Sequence, residues 1–138
     1  MAASPRILVV CTGNRCRSQM AQGWLAHYLP DGVIRSAGTA PKGVHPKSIL
    51  AMAEVGIDIS GHSSDHISQY LGEDWDLVVT VCDSAKETCP VVPGARRVVH
   101  HSFEDPDDET LSEEDQWALF RRVRDEVGEW ARLLADTH

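Results

Sequence analysis

Short apolar runs that alternate with helical patterns constrain the fold of this chain more than any other feature. The runs are ILVV (7–10), VIRSAG (33–38), DLVVTV (76–81) and RRVVHH (96–101). Strands that alternate with helices form parallel sheets whose two faces are covered. We therefore predict an α/β protein, a three-layer sandwich with a short parallel sheet of about four strands and helices on both faces.

Apolar residues at helical spacing predict the elements that separate and follow these runs. The predicted helices are 19–29, 46–55, 64–71 and a long amphipathic helix that starts after Ser112. We expect Ser18 to cap the first helix, Gly56 to end the second, and Ser64 or Asp65 to open the third. Ligands of such sheets bind where strands end and helices begin.

Composition limits the classes of function. The chain has 138 residues, which fit one domain spanning 1–138. Its formal net charge of −8 argues against nucleic-acid binding, and no apolar run approaches the roughly 20 residues of a membrane span. The start MAASPRILVV lacks a secretory signal pattern, so we expect a cytoplasmic protein, and we expect a monomer. Its four cysteines favour redox, metal or nucleophilic chemistry over a disulfide-stapled scaffold.

The stretch CTGNRCRS (11–18) lies between the first predicted strand and the first predicted helix. Backbone N–H groups at a helix N-terminus bind anions, and Gly13 lets the backbone bend closely around one. Arg17 can present a planar fork to two oxygens of the anion. The same N–H groups favour a thiolate at Cys11, to which Ser18 can donate a hydrogen bond. The loop therefore predicts a nucleophilic sulfur inside an oxyanion cradle. The alternative is a buried structural cysteine beside surface arginines.

The remaining loop residues are expected to complete this cradle. We favour packing over a protective redox role for the thiol of Cys16. The residues expected to bind the oxyanion are Thr12, Gly13, Asn14, Arg15, Cys16, Arg17 and Ser18.

The acidic run EDPDDETLSEED (104–115) precedes the last predicted helix and is expected to form a solvated loop. Chemistry at an oxyanion needs a proton donor for the departing oxygen. Asp105 precedes Pro106, which stiffens the loop. On composition alone, however, Glu104, Asp107 and Asp108 are rival donors.

Two further cysteines follow the third apolar run. Cys82 comes directly after that run, and Cys89 lies seven residues later, before Pro90. A helix between them would separate their Cα atoms by about 10 Å, whereas a disulfide requires less than about 7 Å. The segment would therefore have to unwind to form the bond. The alternatives are two inert thiols, or a zinc site with help from His100 and His101, for which the spacing is poor. We predict no metal site.

Several motifs together resemble a known family. CTGNRCRSQMAQGW (11–24) is similar to the phosphate-binding loop of the low-molecular-weight tyrosine phosphatase fold. VCDSAKETCP (81–90) makes the chain resemble the thioredoxin-coupled arsenate reductases of that fold. The order of loop, SAG segment, cysteine pair and Asp-Pro extends the resemblance over nearly the whole chain. It implies a phosphotyrosine phosphatase I-like fold and reduction of arsenate to arsenite in arsenic detoxification, with phosphate or sulfate as competing oxyanions.

The resemblance also implies a role for individual residues. Cys11 would attack arsenate, Arg17 would bind it, and Asp105 would be the general acid. Cys82 and Cys89 would complete a Cys11–Cys82–Cys89 thiol/disulfide relay that thioredoxin recycles as electron donor. No tightly bound cofactor is implied.

Two positions depart from the family pattern. Some members hold a potassium ion with an Asn, a Ser, an Asp and a Glu. Asn14, Ser36 and Asp65 match this set, but Gln22 replaces the Glu, so we expect potassium to have little effect. Arg15 stands where relatives often carry a small polar residue, and it would either strengthen anion attraction or point into solvent.

Two other classes of function stay open. A low-molecular-weight protein tyrosine phosphatase would use Cys11, Arg17 and Asp105, with water in place of Cys82, and would hydrolyse phosphate monoesters through a phosphocysteine. Such an enzyme should offer aromatic walls, and only Phe103 lies near Asp105 in the sequence. A non-catalytic redox sensor or anion-binding regulator would keep the cradle and the thiols without turnover.

Overall fold

The computed structural model of the chain describes residues 4–82 and 92–137. Its strands are β1 (Arg6–Cys11), β2 (Val33–Gly38), β3 (Leu77–Thr80) and β4 (Val98–His100). Its α-helices are α1 (Arg17–Tyr28), α2 (Pro46–Glu54) and α3 (Glu113–Asp136), and one 3₁₀ turn covers Ile67–Gln69. Within these ranges no helix has both the length and the apolar character needed to cross a membrane.

The four strands form one parallel sheet in the order β2-β1-β3-β4. This arrangement confirms the predicted α/β fold. Strand β1 is central and pairs with both β2 and β3, so its apolar residues are fully buried. Cys11 is the last residue of β1 and pairs in register with Gly38 at the end of β2. The loop that follows Cys11 therefore starts from the middle of the sheet.

Alternate side chains of β1 enter two separate cores, as the two-residue period of a strand requires. Ile7 and Val9 belong to the larger core, which also contains buried residues of α1 and α3. Leu8 and Val10 belong to the smaller core on the other face, where Trp75 and the 3₁₀ turn cover the sheet. Both faces of β1 are thus shielded from water.

Two helix boundaries are as the sequence predicts. Helix α2 ends just before Gly56, whose positive φ of 81° is the left-handed conformation that glycine adopts easily. Helix α3 begins after Ser112, whose Oγ accepts a hydrogen bond from the N–H of Asp115 at 3.1 Å.

Two other predicted boundaries are wrong, because side chains bond across the fold instead. Ser18 does not cap α1: it lies in the first turn, and its hydroxyl contacts Cys11. The predicted helix 64–71 is reduced to the 3₁₀ turn, which His66 caps. Ser64 and the backbone N–H of Asp65 donate to the loop after β1 rather than opening a helix.

Candidate active site

The loop after β1 turns successive carbonyl groups away from a small cavity. Three backbone hydrogen bonds from the chain beyond β2 hold these carbonyls: Ala40 to Thr12 at 2.9 Å, Lys42 to Gly13 at 3.0 Å and His45 to Arg15 at 3.1 Å. The N–H and C=O groups of a trans peptide point in opposite directions. Because the carbonyls turn outward, the following N–H groups turn inward, and the loop forms a concave surface suited to an anion.

The sulfur of Cys11 lies at the base of this loop and receives two hydrogen bonds. The backbone N–H of Asn14 donates to Sγ at 3.2 Å, and Ser18 Oγ lies 3.0 Å from Sγ. The amide Nδ2 of Asn14 donates to the same Oγ at 2.8 Å, which leaves the hydroxyl hydrogen of Ser18 to point at the sulfur. Two donors therefore converge on Cys11, as a thiolate nucleophile requires.

The structure brings Arg17 and Asp105 to the same cavity. Arg17 is only 4% exposed, and its Nη1 donates to the carbonyl of Phe103 at 3.4 Å. Its Nη2 lies 3.6 Å from Oδ2 of Asp105, a side chain that stays 53% exposed. The other carboxylate oxygen of Asp105 accepts the backbone N–H of Asp107 at 3.0 Å. A guanidinium and a carboxyl group thus face the cavity together, although Asp105 lies 88 residues beyond Arg17 (105 − 17) in the chain.

The cavity has a volume of about 150 Å³, a size that suits a tetrahedral oxyanion. Cys82 is not among the residues that line it. The lining residues are Cys11, Thr12, Gly13, Arg15, Cys16, Arg17, Lys42, Asp105 and Asp107.

Arg15 makes a contact that the sequence did not predict. Its Nε donates to Oδ2 of Asp107 at 3.0 Å, and its Nη1 donates to the carbonyls of Lys42 and Gly43, both at 3.3 Å. The buried His45 approaches the same carboxylate, with Nε2 3.4 Å from Oδ1 of Asp107. Asp107 was predicted only as a rival proton donor, and no sequence pattern pointed to His45.

The described cysteines differ in redox state and in environment. Cys11 and Cys16 are free thiols, whereas the sulfur of the buried Cys82 is disulfide-bonded. Burial raises the pKa of the Cys16 thiol far above its usual range, which fits packing rather than nucleophilic chemistry. The carbonyl of Cys82 accepts a hydrogen bond from Ser102 Oγ at 3.2 Å. Cys89 and its predicted role lie outside the described residues.

The residues that match the potassium ligands of some relatives lie together beneath the loop. Ser36 Oγ receives Asn14 Nδ2 at 2.9 Å and donates to Oε1 of Gln22 at 2.6 Å. Asp65 Oδ2 accepts hydrogen bonds from the hydroxyl groups of Tyr70 at 2.6 Å and Ser63 at 2.9 Å. These oxygens are already engaged by donors.

A second cavity lies beside these residues. It has a volume of about 190 Å³, and Arg35 and Asp65 are among the residues that line it. Gln22, which carries no charge, also lines this cavity in place of the Glu of those relatives. Within 4–82 and 92–137, moreover, no three His, Cys, Asp or Glu side chains group closely enough to hold a metal ion.

Comparison with known proteins agrees with this geometry. Residues 6–137 match the family described as low molecular weight phosphotyrosine protein phosphatase. An arsenate reductase of Halalkalibacterium halodurans is 48% identical over 132 residues, 95% of each chain. An arsenate reductase of Bacillus subtilis is 46% identical over the same share of both chains. A solved arsenate reductase in the phosphate binding state superimposes with a TM-score of 0.80 at 34% identity, covering 96% of this chain and 98% of that one. The chain belongs to the low molecular weight phosphotyrosine protein phosphatase family, and within that family it is similar to these arsenate reductases.

Proposed function

We propose that this chain reduces arsenate to arsenite through a Cys11–Cys82–Cys89 relay that thioredoxin recycles. The observation that carries the proposal is the position of Cys11 at the base of a small oxyanion cavity, beside Arg17 and Asp105. The relatives with 46% and 48% identity are named arsenate reductases. Phosphate, which a solved relative binds, and sulfate have the same tetrahedral shape and would compete for the cavity.

The first step forms a bond between sulfur and arsenic. The Cys11 thiolate attacks arsenate while the inward N–H groups and the guanidinium of Arg17 hold the charged oxygens. A hydroxyl group of arsenate receives a proton from Asp105 and leaves as water. The product is an arsenylated Cys11 in which arsenic is still in the +5 state.

The second step transfers two electrons from sulfur to arsenic. The Cys82 thiolate attacks Sγ of Cys11, a Cys11–Cys82 disulfide forms, and the sulfur–arsenic bond breaks with its electron pair on arsenic. Arsenite leaves in the +3 state. The Cys89 thiolate then attacks Cys82, which restores the Cys11 thiolate and leaves a Cys82–Cys89 disulfide.

The redox state of the described cysteines fits the end of this sequence. Cys11 and Cys16 are free thiols while Cys82 is disulfide-bonded. Since Cys82 does not line the cavity in this state, the relay requires it to approach Cys11 when reduced. An external dithiol must then reduce the late disulfide, and we propose thioredoxin for this role on the resemblance of 81–90 to the thioredoxin-coupled enzymes.

Arsenite release distinguishes this proposal from the two alternative functions. With thioredoxin, thioredoxin reductase and NADPH, the wild-type protein should release arsenite continuously. Hydrolysis of an aryl phosphate should be slow by comparison. Fast aryl phosphate hydrolysis without arsenite would make the protein a phosphatase, and binding without turnover would make it a regulator.

Two cysteine variants test the order of the relay. Cys82→Ser lacks the thiol that resolves the adduct, so it should release no arsenite even in a first turnover. Its slow aryl phosphate hydrolysis should persist, which is the control for an intact cavity, because water replaces Cys82 in that reaction. Cys89→Ser should release about one arsenite per protein and stall as a Cys11–Cys82 disulfide, detectable by mass mapping. Continuous turnover of Cys89→Ser with thioredoxin, or a full burst from Cys82→Ser, would contradict the relay.

A further inference from the structure

Besides the contact between Arg17 and Asp105, an ion pair between Arg15 and Asp107 joins the phosphate-binding loop (11–18) to the acidic loop (104–115). Arg15 Nε and Asp107 Oδ2 are 3.0 Å apart and 92 positions apart in the chain. Their side chains are 27% and 23% exposed, so water screens the pair only in part. Arg15 is itself fixed by the carbonyls of Lys42 and Gly43. These two bonds orient the guanidinium of Arg15 independently of its contact with Asp107.

His45 lies close to the second oxygen of the same carboxylate. The ring packs against Phe120 at a centroid distance of 4.9 Å, and its Nδ1 accepts the backbone N–H of Lys47 at 3.0 Å. Burial lowers the pKa of His45, and an acceptor Nδ1 leaves the proton of the neutral ring on Nε2. Nε2 lies 3.4 Å from Oδ1 of Asp107, a buried oxygen that has no hydrogen-bond partner at normal geometry. The Nε2–H group of His45 thus faces a carboxylate oxygen that lacks any other donor.

Asp107 in turn sets the orientation of the proposed acid. Its backbone N–H donates to Oδ1 of Asp105 at 3.0 Å, with the buried Pro106 between them. This bond fixes one carboxylate oxygen of Asp105 and turns the other toward Arg17. Moving Asp107 would therefore move the carboxyl group that faces the cavity.

We propose that Asp107, held by Arg15 and packed beside His45, is a positioning residue that keeps the Asp105 carboxyl group at the cavity that Cys11 lines. Asp107 acts through Asp105 and not on the substrate. The proposal rests on the role of Asp105 as general acid in the proposed function. The proposal also gives Arg15 a role. Because its guanidinium binds Asp107, Arg17 is the main guanidinium that binds the oxyanion.

A double-mutant cycle tests whether Asp107 acts through Asp105. Asp105→Asn should lower kcat by about 100-fold or more, the usual contribution of a general acid. Asp107→Asn should lower kcat by about tenfold, because the variant loses the charged contact with Arg15 but keeps the backbone bond to Asp105. The sulfate inhibition constant should change by less than about twofold in Asp107→Asn, because Arg17 and the loop N–H groups remain. Adding Asp107→Asn to Asp105→Asn should cause no further loss.

The matched control removes a carboxylate from the same acidic run. Glu109 is exposed, lies two residues beyond Asp107 and does not line the cavity. Glu109→Gln should keep kcat. Additive losses in the cycle, or an Asp107→Asn variant that behaves like Glu109→Gln, would overturn the proposal.

Amide hydrogen exchange gives a second readout that needs no turnover. Exchange in 104–111 should become faster in Asp107→Asn and Arg15→Ala and should stay unchanged in Glu109→Gln. Unchanged exchange in all three variants would overturn the proposed clamp. If the wild-type protein did not reduce arsenate, the proposed function would fail, and exchange would decide the clamp separately.

Discussion

Replacing Gly38 with alanine should displace the phosphate-binding loop. A Cβ at this position would lie 2.3 Å from the carbonyl oxygen of Thr12 and 3.0 Å from both the nitrogen of Asn14 and the carbonyl oxygen of Cys11. All three atoms are backbone atoms, so no side chain can rotate away. Gly38 is itself fixed, because it pairs with Cys11 and its N–H donates to the carbonyl of Asp65 at 2.9 Å. The loop must therefore retreat by about 1 Å to restore van der Waals contact.

The expected magnitude follows from that displacement. The N–H of Asn14 is one of the two donors to the Cys11 sulfur, and a shift of about 1 Å in a reacting group can cost about 100-fold in rate. We expect Gly38→Ala to lower kcat for arsenite release by about that factor. Overpacking should also lower the free energy of unfolding by about 1–3 kcal/mol in urea denaturation.

Gly23→Ala is the matched control for this prediction. Its Cβ would lie 2.8 Å from Ile59 Cγ2 and 3.0 Å from Met52 Cε, which are side-chain atoms away from the loop. In this variant the close contacts lower the stability, and the helix preference of alanine offsets part of that loss. Its kcat should stay within about twofold of wild type, because the contacts lie away from the loop. A Gly38→Ala protein with wild-type kcat would refute the claim that this close contact positions the loop.

Three further outcomes are expected. Arg17→Lys should lower kcat/KM for arsenate by at least about tenfold, because a point charge replaces a two-oxygen fork; an unchanged kcat/KM would remove Arg17 from the site. Potassium should raise the Tm no more than an equal concentration of sodium, because Gln22 supplies no carboxylate; a large potassium-specific rise in calorimetry would contradict this. Hydrogen bonds from Arg121 and Arg124 lower the pKa of Glu54 to about 2. The Tm advantage over Glu54→Gln should thus be complete above pH 4.5 and disappear as the pH falls toward 2. A gap that stayed constant across that range would show that these ion pairs do not link α2 to α3 in solution.

Local patterns predicted most of the fold and the place of the loop that follows β1. The apolar run before Cys11 indicated a buried strand, and the spacing from Cys11 to Arg17 indicated an anion loop at a helix start. Both signals are contained within a dozen residues, where periodicity and backbone preferences act directly. The cap at Ser112 was predictable for the same reason.

Contacts across the fold decided what these local patterns left open. Composition could not choose among the acidic residues near Asp105, and the structure gives Asp107 a separate place between Arg15 and His45. Ser18 had the sequence position of a cap, yet its hydroxyl bonds to Cys11 because the strand end and the first turn of α1 meet at the cavity. Such contacts leave no periodic trace in the sequence. They arise only when a parallel sheet brings the ends of separate strands to one edge, where charges that are distant along the chain become neighbours.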